Sequence, residues 1–264
     1  MALISPAIAE EIIEAVGGLP FLSPEVKPGT LLSLAAGVRR KYEPSVFPEL
    51  RDYLDPVNAL TIYRRHAISP IDEHSWVPLP PDREALVTEA TNDIVQAAPG
   101  WEALFALPHR YRYLTQPDIR SLTSMLVPQT IYLGNDAFPP KGRLEETLVH
   151  EFAHVWLSFL AEISDFQLEG SPQNLMLPSG TSGKAPRGVL FAAHFAASAC
   201  NFYAHRNEAS DMSRRAYLRD YLTGCLETIV DHPYLSPMGN AVAARLADFH
   251  AAIPSLKSDS STAS

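Results

Sequence analysis

The stretch Thr147-Leu-Val-His150-Glu151-Phe-Ala-His154-Val-Trp156 holds a His-Glu-x-x-His pattern. His150 and His154 stand four residues apart, so on a helix both imidazoles leave one face, one turn apart. Neutral ring nitrogens at that spacing can grip one divalent metal, with Glu151 beside them on the next face. The surroundings read as a helix over 143–163 that is apolar on more than one side. Leu148, Phe152, Val155 and Phe159 make one stripe, and His150, His154, Leu157 and Ala161 another. A helix apolar nearly all round is buried. Imidazoles in such a place need partners, and a metal is a good one. The competing reading is two core histidines that happen to fall four apart.

Two histidines leave a metal under-coordinated, so a third protein ligand is expected. A metzincin would continue His-x-x-Gly-x-x-His, and here Val-Trp-Leu-Ser-Phe-Leu follows His154 instead. A thermolysin-like site would take a later glutamate. Glu162 lies eight residues past His154 on the same helix, about 12 Å along the axis and too far to share its metal. Glu169 precedes Gly170-Ser-Pro, outside any clear helix. His194 is better placed. It heads a polar stripe of His194, Ser198, Asn201, His205 and Glu208 along one face of an otherwise apolar helix over 187–205. Such a stripe must meet something polar. Either His194 closes the metal site or the stripe bonds neighbouring backbone. His205 would then stand behind the ligands. The remaining histidines sit in loops or at element ends and read as surface or capping groups.

The elements that would position these groups are mostly helical. Helical spacing appears over 6–16, 30–42, 47–65 (broken near Asp55-Pro56), 82–98, 214–230 and 236–253. Tyr111–Thr115 alternates, and Thr130-Ile-Tyr-Leu133 is β-branched and aromatic, so both read as strands. A proline-rich stretch over 68–81 reads as an irregular loop, and a Gly/Ser/Pro-rich one over 166–186 as a mobile functional loop or a disordered one. The expected fold class is α+β, mainly α-helical, with a small sheet preceding a buried metal-binding helix pair. Residues 1–110 form a proline-rich helical region covering the site, 111–253 the metal-binding catalytic region, and 254–264 a disordered tail. With 23 prolines, many short proline-bounded segments should replace long regular elements.

Composition narrows the partners. The chain has 264 residues, 46% hydrophobic and 19% charged, with a net charge of −9. That balance, without a basic run, argues against nucleic acid or an anionic membrane surface. The N-terminal Met1-Ala-Leu-Ile-Ser-Pro has no basic n-region, so no secretory signal is expected, and there is no uninterrupted apolar run of about 18 residues. Cys200 and Cys225 read as free thiols in or near the core. A soluble cytoplasmic protein is expected.

From Ser121 to Ile253 the chain resembles the HExxH-type, 2-oxoglutarate-dependent peptide β-hydroxylases of ribosomal peptide natural-product clusters. The resemblance is carried by Pro128-Gln-Thr-Ile-Tyr-Leu133, then Leu-Val-His150-Glu151-Phe-Ala-His154. It continues through Pro186-Arg187-Gly188-Val-Leu-Phe-Ala-Ala-His194 to Leu235-Ser-Pro-Met-Gly239, which looks like the family's Leu-Thr-Pro-x-Gly. Phe191 stands where the pattern often has a second histidine, and the first 110 residues carry no part of it. The resemblance implies Fe(II) held by His150, His154 and His194, with positions left for 2-oxoglutarate and O₂. Arg187 would hold the cosubstrate's distal carboxylate. Glu151 would orient a ligand or water. The implied reaction is β-carbon hydroxylation of an amino-acid residue in a peptide or a small amino-acid-derived substrate. The alternative is a zinc metallohydrolase or peptidase with Glu151 as general base. A third possibility is a binding module that uses the motif only structurally.

Overall fold

Proline opens helices in this chain more than it breaks them. The computed structural model describes residues 4–67, 70–71, 73–138 and 141–253. Within it, helices α1 (Pro6–Ala15), α2 (Pro28–Tyr42), α3 (Pro56–His66) and α4 (Pro81–Ala97) each carry proline in the first turn. There the missing N–H has no acceptor to lose and φ is already helical. Side chains complete two of these starts. Ser5 accepts the Ile8 N–H, and Asp55 accepts those of Val57 and Asn58 at 2.8 and 3.0 Å. The expected helix over 47–65 is therefore split: a 3₁₀ turn, Leu50–Leu54, runs to the Asp55 cap before α3 begins.

A two-residue strand, β1 (Trp76–Val77), precedes α4, inside what the sequence presents as loop. After α4 come a 3₁₀ turn at Pro99–Trp101 and the single-turn helix α5 (Glu102–Phe105). Three strands follow: β2 (Arg110–Leu114), β3 (Ser121–Ser124) and β4 (Val127–Leu133). The sheet order is β1-β2-β4-β3, with β2 parallel to β4 and both outer pairings antiparallel. β3, unmarked by any alternation in the sequence, is an edge strand. The turn after β4 needs Gly134, because a Cβ there would stand 1.9 Å from the Ile119 carbonyl oxygen.

The long helix α6 (Lys141–Ile163) packs on α2, α4, β3, β4 and α7 (Pro186–Arg206). Two further helices, α8 (Met212–Ile229) and α9 (Pro237–Ala252), close around α7. The main core runs from Ala9 to Ile253 through Phe152, Trp156, Phe159 and Leu160 of α6, all inaccessible or nearly so. Each such large side chain contributes about 1.5–3 kcal/mol. Between Leu144 and Ala161 of α6 only every fourth residue escapes full burial: Glu146, His150, His154, Ser158. One open stripe on a buried helix is the face a cavity can use.

The chain is thus α+β and mainly helical, with one small mixed sheet. No helix among the described residues is long and apolar enough to cross a membrane. The expected tail over 254–264 lies outside the described residues.

Candidate functional site

The open stripe of α6 and the first turns of α7 face each other across a cavity of about 390 Å³. His150, His154 and Ser158 line it from α6, Thr123 and Met125 from the β3 end, and Gly188, Phe191 and Phe195 from α7. The two imidazoles converge, with their Nε2 atoms 2.8 Å apart. Phe195 stacks on His150 at 3.8 Å between ring centroids, 15° from parallel, which fixes the plane of that ring. Burial depresses both imidazoles. His150 falls to about 4, although Glu146 raises it, and Arg120 and Arg214 lower it further. His154 falls to about 3 through burial, then through His150, with Glu151 raising it in part. Both rings are neutral at physiological pH, the form that ligates metal. Two nitrogens bound at about 2.1 Å and roughly right angles lie near 3 Å apart, so the observed pair fits two adjacent ligand positions of one divalent ion.

The structure gives His194, the third ligand expected from the sequence, another partner. His194 lies one residue before Phe195, hence about 100° round the helix, and is wholly inaccessible. Its Nε2 is 2.9 Å from the Pro20 carbonyl oxygen. Two turns on, Asn201 Nδ2 donates to the Phe21 carbonyl at 2.6 Å. The polar stripe of α7 therefore binds the backbone of the turn after α1, where Phe21 holds a left-handed φ of 66°. Of the two readings of that stripe, the structure adopts the backbone one. His205 meets the edge of Trp101, and Glu169 is exposed. Among the described residues no group of three His, Cys, Asp or Glu side chains could hold a metal.

Glu151 is buried behind the cavity wall. Thr123 Oγ1 donates to its Oε2 at 2.5 Å, and the Ser121 hydroxyl also reaches it. Burial pushes its carboxyl above the usual carboxylate range, partly offset by His154 and these hydroxyls. Its evident work is to fasten α6 to the edge strand that carries Thr123.

Arg187 does line the cavity, but it is already engaged. Its Nη1 donates to both Asp165 oxygens at 3.1 Å. Asp165 is placed by the segment that the sequence singles out at 235–239. Ser236 Oγ donates to the Asp165 carbonyl at 2.5 Å and accepts the Gly239 N–H at 3.0 Å, and the Ser236 N–H reaches the Phe166 carbonyl. A Cβ on Gly239 would lie 2.0 Å from that same Phe166 oxygen. Leu235-Ser-Pro-Met-Gly239 is thus a clamp that joins the exit of α6 to the start of α9.

The stretch over 166–186 is neither shapeless nor helical. Leu175 and Lys184 pair antiparallel, their N–H groups 3.0 and 2.9 Å from each other's carbonyls. The resulting hairpin brings Leu177, Ser179, Thr181 and Lys184 to the cavity. Its Pro178 packs where Gly224 of α8 leaves space, since a Cβ there would meet Pro178 Cγ at 2.7 Å. Sequence reasoning did not single out Lys184, Ser158 or Tyr221. Ser158 was visible, as the next i+4 position after His154; the other two carry no local signal. In comparison with known proteins, no family model and no curated sequence matches this chain.

Proposed function

We propose that this protein is a non-haem Fe(II), 2-oxoglutarate-dependent oxygenase. It would hydroxylate an unactivated β carbon of an amino-acid residue in a peptide or an amino-acid-derived compound. The observation that carries the reading is the neutral His150–His154 pair, its Nε2 atoms converging on a cavity large enough for a small acid beside a substrate side chain. The resemblance over 121–253 supplies the choice of chemistry. His150 and His154 would hold the Fe(II), which with 2-oxoglutarate and O₂ would supply the oxidising power for C–H hydroxylation, the cosubstrate leaving as succinate and CO₂.

The chain's own part is orientation and exclusion of water. Phe195 fixes the His150 ring, and Phe191 and Phe195 present apolar walls on which a C–H bond can lie without solvent. Glu151 holds Thr123 in the opposite wall. A zinc hydrolase would need the Glu151 carboxylate within reach of a bound water. Its engagement by Thr123 and Ser121, outside the cavity lining, favours the oxygenase.

The test is anaerobic reconstitution with Fe(II), followed by titration with 2-oxoglutarate. A visible metal-to-ligand charge-transfer band is expected, and it should be absent in His150→Ala and His154→Ala. Tight, stoichiometric Zn²⁺ retention with no such band would overturn the oxygenase reading.

A further inference from the structure

The cavity lining contains no acidic side chain. Its Arg187 is paired with Asp165. One charge is left over. The Lys184 side chain lines the cavity and has no acidic partner among the described residues. The hairpin bridge to Leu175 fixes its backbone at both N–H and C=O. Its stem runs along α7 beside Gly188, where a Cβ would come within 3.5 Å of Lys184 Cδ.

Around it stand hydroxyls and a helix start. Ser179 Oγ and Thr181 Oγ1 are 3.1 Å apart, and the Tyr221 hydroxyl faces Ser179. All three line the same cavity, as does Gly188 in the first turn of α7. First-turn N–H groups lack intrahelical acceptors and carry the positive end of the helix dipole, although here Pro186 has no N–H and that of Arg187 is taken by Gln167 Oε1 at 3.0 Å. For a 21-residue helix that end adds to the lysine charge.

We infer that Lys184, with the hydroxyls of Ser179, Thr181 and Tyr221 beside the start of α7, forms a carboxylate-binding corner of this cavity. Arg187 is a positioning residue there, not the anion's partner. The corner takes one carboxylate of a small acid whose other end reaches the His150–His154 pair. The Arg187 charge is already compensated by Asp165, through Nη1 alone, so a second carboxylate would share it with the first. The Lys184 ammonium has no such competitor among the described residues. The assignment of that acid as 2-oxoglutarate rests on the proposed function; the corner itself does not.

Calorimetric titration of the full chain separates the two, using the redox-inert Zn²⁺-loaded protein and the metal-free protein. The probes are 2-oxoglutarate, 2-oxobutyrate, which lacks the distal carboxylate, and glutarate, which lacks the keto group. Lys184→Met should weaken 2-oxoglutarate and glutarate at least tenfold and leave 2-oxobutyrate unchanged. Lys184→Arg should restore most of the loss. Arg187→Gln should change all three acids alike, because it loosens the wall without removing the anchor.

Equal glutarate binding in Lys184→Met and the unaltered protein overturns the corner. So does a distal-carboxylate preference that vanishes in Arg187→Gln instead. A charge-transfer band with Fe(II) and 2-oxoglutarate, alongside a Lys184→Met variant that binds as well as the parent, leaves the oxygenase standing without the corner. Lys184-dependent glutarate binding without such a band leaves the corner standing without the oxygenase.

Discussion

At the scale of single residues, burial decides which histidines can carry a proton. His194 is held at about 4 by burial, with the Pro20 and Ala153 carbonyls raising it only in part. An unfolded chain returns it to about 6.5. The unfolded state therefore takes up the proton first. Stability is intact above pH 6.5 and falls as pH drops toward 4, by on the order of 3 kcal/mol from this residue alone. His194→Gln, whose amide can still donate to Pro20, should flatten the decline of the urea midpoint between pH 6.5 and 4. A midpoint that declines as steeply as in the parent would mean the imidazole keeps an ordinary proton affinity in the fold. The same residue shows where sequence reading stops. His150 and His154 are legible because their relation is four residues long and set by helix geometry alone. The role of His194 depends on a carbonyl 174 positions away, and a polar stripe looks the same whether it meets a metal or a backbone. Lys184 lies in a stretch with no periodicity, so only the hairpin's pairing reveals it.

At the scale of elements, the cavity depends on how the exit of α6 is tied to α9. Gly239→Ala would drive a methyl group into the Phe166 carbonyl, and backbone cannot yield as a flexible side chain would. The expected cost is about 1–3 kcal/mol, read as a lower denaturation midpoint. Displacement of Asp165 should then release Arg187 and weaken acid binding in the variant at temperatures where it remains folded. Unchanged midpoint and binding would show that the clamp is slack. Long helices such as α6, α7 and α9 announce themselves through their apolar period, and proline marks where several begin. β1 and β3, two and four residues long, do not. Strands that short owe their existence to the partner across the ladder rather than to their own side chains.

At the scale of the molecule, the described part of residues 1–110 braces the site from behind, and none of those described residues lines the cavity. Trp156 Nε1 donates to the Leu104 carbonyl. Arg39, almost wholly inaccessible, meets Glu162 through two contacts of 2.8 Å. It also donates to the Tyr53 carbonyl and to Gln129. Arg39→Met alone strands a buried carboxylate and should cost about 3–5 kcal/mol, whereas Arg39→Met with Glu162→Leu should recover most of that. Chemical denaturation of the three proteins decides it; a double variant no more stable than the single one would refute the account. This ion pair also has a consequence for synthesis on the ribosome. Arg39 emerges 123 residues ahead of its counter-charge, a delay of roughly 6–25 s at ordinary elongation rates. Until Glu162 has been made, the nascent N-terminal helices have the Tyr53 carbonyl but no counter-charge for that guanidinium. Their docking must therefore come late, after the helix that bears the two cavity-facing histidines.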